Sequence, residues 1–313
     1  MLLLPRRLLS CTFALLPSLL LAASTPDTVG LTAGALVRKT IQHEVAASQG
    51  ISVNHMFVSR KQTAHGSQTR MYVETRQAIA GMTIANDDKP LTPEQEKDEQ
   101  DRLNALIHDP AELARKHAKQ QEDAERIRRI VQAMPDALIF ENDGTEPGRP
   151  GVARPGSELV RLKFHPNPKY DPPTHVEEVL TGLEGTILID PKELRIARID
   201  GTLGKEVGFG WGILGHLDKG GRFLVEQQDL NDGTWDTSRM ILRFTGRVLF
   251  FKHLDIQSDE IYRNYRPVPS NLSFAQGVEL LRKEQPTEAR VWPAAQTYPS
   301  PATQPGPANK CEG

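Results

Sequence analysis

The chain has 313 residues, of which 38% are hydrophobic and 25% are charged, and its formal net charge is −2. This is the composition of a globular protein, so it excludes a wholly disordered chain and a membrane protein built from many spans. The near-neutral charge also argues against a nucleic-acid-binding protein, which normally carries a basic excess. With two Cys, the chain can form at most one internal disulfide bond.

Residues 1–24 have the pattern of a secretory signal peptide. Arg6 and Arg7 precede an uncharged apolar stretch, residues 8–23, and small residues at 22–24 provide a cleavage site. The stretch is shorter than the roughly 20 residues that a membrane-spanning helix needs, which leaves an uncleaved anchor as the less favoured alternative. We therefore expect a periplasmic or secreted mature protein with no membrane span.

The first predicted elements are a helix and three strands. An amphipathic helix is expected over residues 32–47, because apolar residues recur every four positions on one face, at Ala33, Val37, Ile41 and Val45. Strands are expected over residues 53–59, 69–75 and 78–85, with a turn at 86–88.

A helical insertion is predicted over about residues 90–134. Its first part, residues 93–107, is highly charged, so we expect it on the surface. Asp109 is positioned as an N-cap with Pro110 at the first helical position. The second helix is expected to run to about Met134, with a buried stripe formed by Ile127, Ile130, Val131 and Met134. Residues 142–157, rich in Gly and Pro, are expected to form an exposed loop.

From Glu158 onward, apolar and polar residues alternate with a period of two, which predicts strands. They are expected over residues 159–164, 185–189, 194–200, 205–213, 222–229, 238–244 and 247–256, with Thr245-Gly246 as one of the turns. A last helix is expected over residues 274–283, followed by a Pro-rich disordered tail, residues 286–313. The prediction is one α+β domain over residues 25–285. Its core element is a strongly curved antiparallel sheet, an unclosed β-barrel, with helices packed in its concave face.

The segment of residues 205–213 alternates glycine with large apolar residues. In a strand, Gly208, Gly210 and Gly212 would share one face, and the apolar residues would share the other. Repeated glycine weakens a strand, so close packing or sharp curvature is expected there. We predict that this apolar face binds a ligand, with a filled core as the alternative. The predicted ligand-binding residues are Val207, Phe209, Trp211, Ile213, Phe223, Phe244 and Phe250.

Motifs for enzymatic chemistry are incomplete, so no catalytic residue, metal site or cofactor is expected. Residues 210–215 match G-x-G-x-x-G, but a strand follows where a dinucleotide site needs a helix. His43-Glu44 begins a zinc-protease motif that Ala47 leaves without its second His. Residues 229–233 fit a hairpin turn better than a calcium loop.

One hairpin carries a family resemblance. It runs from Glu184 to Asp190, a strand that ends in Asp, and returns from Leu194 to Gly201. It resembles the corresponding hairpin of the periplasmic outer-membrane lipoprotein carriers and lipoprotein-sorting proteins, and the order of elements is similar over residues 30–265. The resemblance implies an open, curved sheet with helices over an apolar cavity, and a non-enzymatic role in binding a lipid or a lipidated protein.

The sequence therefore favours an exported binding protein and leaves two alternatives. The first is an envelope scaffold with a filled core, in which the Pro-rich loop 164–173 and the tail bind partners. The second is a hydrolase, with a site formed by His165, His175, Glu177 and Glu178.

Overall fold

The computed structural model describes residues 30–50, 53–209, 215–248 and 252–291. Thirteen strands form one antiparallel sheet, accompanied by four α-helices and one 3₁₀ helix at Glu177–Gly182, so the predicted α+β class is confirmed. The helices and strands are α1 (Ala33–Gln49), β1 (Asn54–Thr63), β2 (Gly66–Val73), β3 (Ala80–Asn86), β4 (Lys89–Pro90), α2 (Pro93–His108), α3 (Pro110–Ala137), β5 (Leu138–Pro147), β6 (Glu158–Pro166), β7 (Leu183–Asp190), β8 (Arg195–Leu203), β9 (Val207–Phe209), β10 (Gly215–Leu217), β11 (Arg222–Asp229), β12 (Trp235–Val248), β13 (Lys252–Val268) and α4 (Phe274–Val291).

The strand order is β4-β3-β2-β1-β13-β12-β11-β8-β7-β6-β5, and every pairing is antiparallel. β10 pairs with β12 and with β9, which forms a short hairpin beside this main path. Within the described residues, the end strands β4 and β5 do not pair with each other, so the sheet is not closed into a barrel.

The long helix α3 shows how strongly the sheet is curved. Gln120 accepts a hydrogen bond from the backbone N–H of Ile79, next to β3, and Ala137 leads directly into β5. The helix between these residues is about 26 Å long. β3 and β5 are nine strand spacings apart in the sheet, which would be about 43 Å if the sheet were flat. The sheet must therefore curl toward α3, which spans its concave side.

Cross-strand pairs identify the side chains of the concave face, because directly paired residues point to the same side of a sheet. From β7 to β13, the residues Ile187, Ile199, Val225, Met240 and Glu260 are paired in turn. Ile187 belongs to the core that α1 and α3 cover, so this whole row lies on the concave face.

The concave face is filled at its β5–β9 end. Val37 and Ile41 of α1 and Met134 of α3 pack against Ile187 and Ile189, and all five side chains are buried. The amphipathic pattern predicted for α1 is confirmed, with Thr32 as its N-cap.

The start of α3 is also confirmed, because the Asp109 side chain accepts a hydrogen bond from the Glu112 N–H, and Pro110 is the first residue of the helix. The expected end of α3 was wrong, since Pro135 lies inside the helix. Ile127 was also predicted wrongly as a buried residue, because 63% of it is exposed.

A second helical layer, which the sequence did not predict, lies on the convex face at the opposite end of the sheet. Val278 and Leu281 of α4 pack with Val58 and Met71, which point away from the concave face. Leu103 of α2 completes this core. No helix within the described residues is long and apolar enough to cross a membrane.

Two expectations for the meander and its neighbouring loop were wrong. Thr245-Gly246 is not a turn, because β12 continues through both residues to Val248. Of the strand expected over residues 205–213, β9 covers Val207–Phe209 and pairs antiparallel with β10, while residues 210–213 lie outside the described residues. The loop after β5 is not exposed along its length, since Val152 and Ala153 are buried against the convex face.

The C-terminal helix is longer than expected. α4 begins at Phe274, as predicted, but continues through Pro286 to Val291, so the expected boundary at residue 285 falls inside it. Residues 292–313 of the predicted tail lie outside the described residues, as do residues 1–29, which include the predicted signal peptide.

The packing of α4 is testable by cavity formation. Phe274 is 2% exposed, so Phe274→Ala should lower the free energy of unfolding by about 3–5 kcal/mol. The control Ile127→Ala removes a side chain that is 63% exposed and should change it by less than about 0.5 kcal/mol. Urea unfolding followed by circular dichroism measures both, and equal losses in the two variants would contradict this packing.

Candidate ligand-binding site

The structure separates the seven predicted ligand-binding residues into three groups. Val207 is 3% exposed and belongs to the filled core. Phe223 and Phe244 are half-buried at the edge of that core on the concave face. For Phe209 only the backbone, in β9, is described, while Trp211, Ile213 and Phe250 lie outside the described residues.

Two glycines allow Phe223 and Phe244 to lie flat against the sheet. A Cβ atom added to Gly201 would lie 2.5 Å from the Phe223 ring, and one added to Gly221 would lie 2.5 Å from the Phe244 ring. No real Cβ atom tolerates such distances, so both rings occupy space that only glycine leaves free. Close packing of this kind was expected at Gly208, Gly210 and Gly212, where it stays a prediction, because Gly210 and Gly212 lie outside the described residues.

Together with their neighbours on the concave face, these two rings form a surface that we call the open floor. Its residues lie on β11, β12 and β13, and register places them all on the concave side. They are half-buried or exposed, in contrast to the fully buried side chains at the β5–β9 end. The open floor consists of Phe223, Val225, Met240, Leu242, Phe244 and Ile256. The concavity is thus filled at one end and partly uncovered in its middle.

The middle of α3 indicates space above the open floor. Gln120, Ile127 and Met134 follow each other at intervals of seven residues. They therefore lie on nearly the same side of α3, which rotates by only about 20° from one to the next. Gln120 contacts the β3 end of the sheet and Met134 is buried at the β5 end. Ile127, between them, is 63% exposed. The helix is therefore anchored at both ends and leaves an apolar side chain unburied at its centre.

An aromatic stack continues the concave surface onto β1, β2 and β13. The ring of Phe57 lies 5.2 Å from that of Tyr72 and 5.0 Å from that of Tyr265, both at an interplanar angle of 25°. Tyr262 lies 6.2 Å from Phe57 in a tilted arrangement. These four rings form a broad apolar surface, and the three tyrosines add a hydroxyl group each. Such a combination of apolar ring and polar group is common at binding surfaces.

Polar groups cross this surface in one row. The Ser59 hydroxyl donates to Glu260, which is 7% exposed, and Lys61 lies 3.8 Å from the same carboxylate. Burial and the Glu260 charge raise the pKa of Tyr262, so its hydroxyl remains protonated. A mainly apolar surface with a few fixed polar groups is typical of small-molecule sites.

A buried histidine closes one end of the stack. His55 is 3% exposed, and its Nε2 lies 2.8 Å from Asp232 in the β11–β12 turn. Its backbone N–H donates to Glu74 at 2.8 Å. The hairpin turn predicted at residues 229–233 is thereby confirmed, and Asp232 ties it to β1.

Asp236 lies in the same region. Burial raises the pKa of Asp236, an effect partly offset by the hydrogen bond from the Thr237 N–H at 2.6 Å. The nearby Tyr265 hydroxyl donates to the Thr237 carbonyl at 2.7 Å. Burial likewise raises the pKa of Glu74. The outer part of the stack thus holds carboxyl groups that burial pushes toward the protonated form.

The residues of the hydrolase alternative do not assemble into a site. His165 lies 3.9 Å from Glu141 and next to the carbonyl of Pro166. Glu177 is buried and accepts a hydrogen bond from Thr174 at the start of the 3₁₀ helix. His175 is exposed. The buried Glu177 carboxylate is therefore engaged in a local contact with Thr174.

The Pro-rich loop 164–173 is docked against the end of α3. Asn167 donates from its backbone N–H to the carbonyl of Ala137 and from its side-chain amide to the carbonyl of Asp136, both at 2.9 Å. Tyr170 packs against the core under α1 and α3. These contacts favour the reading of this stretch as a rigid supporting loop.

Two polar features involve residues that are not part of the open floor or the aromatic stack. Glu206, His216 and Asp218 have potential metal-ligand atoms within 4.8 Å of one another, near the β9–β10 hairpin, but Asp218 already accepts a hydrogen bond from Thr245. A polar cleft of about 510 Å³ is lined by residues that include Arg195 and Trp235. Arg195 is paired with Glu44 and covers the Trp235 ring at 5.9 Å, so the ring is not available for stacking.

The aromatic stack was missed in the sequence because its residues are far apart in the chain. Residues 257–268 had been left outside any element, although Tyr262 and Tyr265 lie in the second half of β13. Their proximity to Phe57 arises from the pairing of β1 with β13, which joins the two ends of the fold. The local signal was the aromatic and β-branched content of residues 261–265, which is typical of a strand.

No protein-family model matches the chain, and no curated protein matches it. A similar solved structure is described as an outer membrane lipoprotein-sorting protein domain from Vibrio parahaemolyticus, with 10% identity, a TM-score of 0.28, and coverage of 79% of this chain and 99% of that one. Another is a DUF1329 family protein from Desulfovibrio piger, with 9% identity, a TM-score of 0.27, and coverage of 77% and 96%. The first is described as the class of protein that the hairpin of residues 184–201 was found to resemble. At these low scores neither structure carries an argument about function.

The raised pKa of Asp236 predicts a pH-dependent stability. Because the folded protein holds this proton more tightly than the unfolded chain, the stability contribution of Asp236 falls as pH rises above its usual pKa of 3.8. Asp236→Asn removes the charge but keeps the shape. The variant should gain stability relative to the native chain between pH 4 and pH 7, measured as urea midpoints. A difference between the two proteins that does not change with pH would contradict this assignment.

Proposed function

We propose that this chain is an exported, non-enzymatic binding protein that holds a lipid or a lipidated partner on its concave face. The observation that carries the proposal is the open floor beneath α3. There, several apolar side chains of β11–β13 stay half-exposed, while those at the β5–β9 end of the same face are buried. A filled scaffold core would bury both sets.

The energetics favour an apolar occupant. Removing apolar surface from water is worth about 25 cal/mol per Å², so a chain that covers several of these side chains gains several kcal/mol. An acyl chain fits this requirement, because it is long, apolar and narrow enough to lie between a helix and a sheet. The exposed Ile127 on α3 would contact such a chain from the opposite side.

The proposed contacts differ from the predicted set. Phe223 and Phe244 remain in the proposed site, and Met240, Leu242 and Ile256 are added to it by register. Val207 supports the filled end instead. Phe209, Trp211, Ile213 and Phe250 remain predictions. Export to the periplasm or the exterior is proposed from the pattern of residues 1–24.

A matched pair of variants tests the site. Ile256 is 36% exposed on the concave face, and Ile139 is 39% exposed on the convex face of β5. Ile256→Asp places a charge on the floor and should weaken binding of the fluorescent fatty acid cis-parinaric acid by about tenfold, which corresponds to about 1.4 kcal/mol. Ile139→Asp should bind as tightly as the native chain.

Fluorescence titration of the purified, delipidated protein measures this binding. Native mass spectrometry of the protein before delipidation should also show a bound molecule of lipid mass. The absence of saturable binding in the native chain would overturn the proposed function. Equal weakening of binding in both variants would contradict the placement of the site on the concave face.

A further inference from the structure

Three cationic side chains from three different elements meet at the β2–β3 end of the concave groove. They are Arg70 of β2, Arg102 of α2 and Lys116 of α3, and we call them the cationic cluster. The three elements that carry them contact alternate residues of one chain segment, which begins just before β3. α3 contacts Ile79, α2 contacts Gly81 and β2 contacts Thr83.

Arg102 is fixed where α2 seals the free edge of β3. Its Nη2 donates to the carbonyl of Gly81 at 2.7 Å and to Glu99 at 2.7 Å. Glu99 in turn accepts from the Thr83 N–H at 2.6 Å. The two side chains thus take the hydrogen-bonding role of a neighbouring strand, and Glu99 neutralises the charge of Arg102.

Arg70 and Lys116 flank this seal. The Nε of Arg70 donates to the Thr83 hydroxyl at 3.1 Å, and cross-strand pairing places Arg70 on the concave face beside Ser59. Lys116 lies one helical turn before Gln120, which binds the Ile79 N–H at 3.2 Å. Ile79 and Thr83 are separated by about 13 Å of extended chain, and the three long side chains are close enough for the charges of Arg70 and Arg102 to act on Lys116.

The positive charge of the cationic cluster is only partly compensated. Among the described residues, no carboxylate oxygen lies within 4.0 Å of the charged groups of Arg70 or Lys116, whereas Arg102 is paired with Glu99. Burial and the nearby charges of Arg102 and Arg70 lower the pKa of Lys116. Glu99 and Glu112 offset part of this charge from a distance. Half-buried like charges that have no direct ion pair cost free energy, and a bound anion would reduce that cost.

The cationic cluster adjoins the aromatic stack through Tyr72. The Tyr72 ring covers Gly81, where an added Cβ would lie 2.7 Å from it, and Gly81 is the residue whose carbonyl Arg102 binds. From Tyr72 the concave surface runs across Phe57 to the open floor on β11–β13. One continuous groove thus has cations at one end and mainly apolar side chains along its length, crossed by the polar Ser59–Glu260 pair.

We infer that the groove is selective for an amphiphile with an anionic head group, which Arg70 and Lys116 bind while the chain lies along the aromatic stack and the open floor. This inference rests on the proposed function and adds the charge of the ligand to it. Guanidinium and ammonium groups bind carboxylate and phosphate oxygens through charge-assisted hydrogen bonds, which a neutral head group cannot form at equal strength.

The test compares two probes that share one chain. The full-length native protein should bind cis-parinaric acid at least about tenfold more tightly than its neutral methyl ester at pH 7.5, because each charge-assisted hydrogen bond contributes well over a factor of ten. The double variant Arg70→Gln, Lys116→Gln should bind acid and ester equally. The control Lys119→Gln, on the exposed side of α3, should keep the native preference. Butyrate, which has the carboxylate without the long chain, should not displace the bound acid.

Each result has a separate meaning. Equal binding of acid and ester by the native chain would overturn this inference and leave the proposed function standing, and that comparison needs no variant to fold. A preference for the acid that survives in the double variant would also overturn it. Displacement by butyrate at equal concentration would assign the cationic cluster to free anions and overturn it. Binding of neither probe would defeat the proposed function and this inference together.

Discussion

The attachment of α3 at both ends of a curled sheet is the constraint on which the rest of the structure depends. About 26 Å of helix connects strands that a flat sheet would place about 43 Å apart, so helix and curvature require each other. The attachment at one end is the buried core around Met134, and at the other it is the hydrogen bond between Gln120 and the Ile79 backbone. Because neither anchor covers the centre of the helix, the concavity stays open there, with Ile127 exposed above it.

Different parts of the protein therefore contribute to stability and to the proposed binding. The β5–β9 end and the convex core under α4 supply stability through fully buried side chains such as Ile187 and Val278. The middle of the concave face contributes less to folding because its apolar surface stays half in water. Unburied apolar surface next to partly compensated cations is a cost in the free protein, and a ligand with an acyl chain and an anionic head lowers both parts of that cost.

Local patterns in the sequence predicted local structure well. The period of four in α1, the N-cap at Asp109 and the alternation after Glu158 all correspond to observed elements. The errors came where distant segments decide the outcome. Thr245-Gly246 resembles a turn, yet β12 continues through it because β10 and β13 pair on its two sides. Ile127 fits the apolar stripe of α3, yet the curvature of the sheet leaves it without a partner.

The candidate site shows the same limit, since Phe223 and Phe244 are the members of the predicted set that lie on the open floor within the described residues. Photo-crosslinking with a fatty acid that carries a diazirine at the end of its chain tests the central claim directly. Mapping by mass spectrometry should place the label on Met240, Leu242 or Ile256 of the concave face, or on Ile127 of α3. Adjacent residues of β12 point to opposite faces, so Leu242 and Ile241 distinguish the two surfaces. Labelling of Ile241 with no label on the open floor would contradict the account.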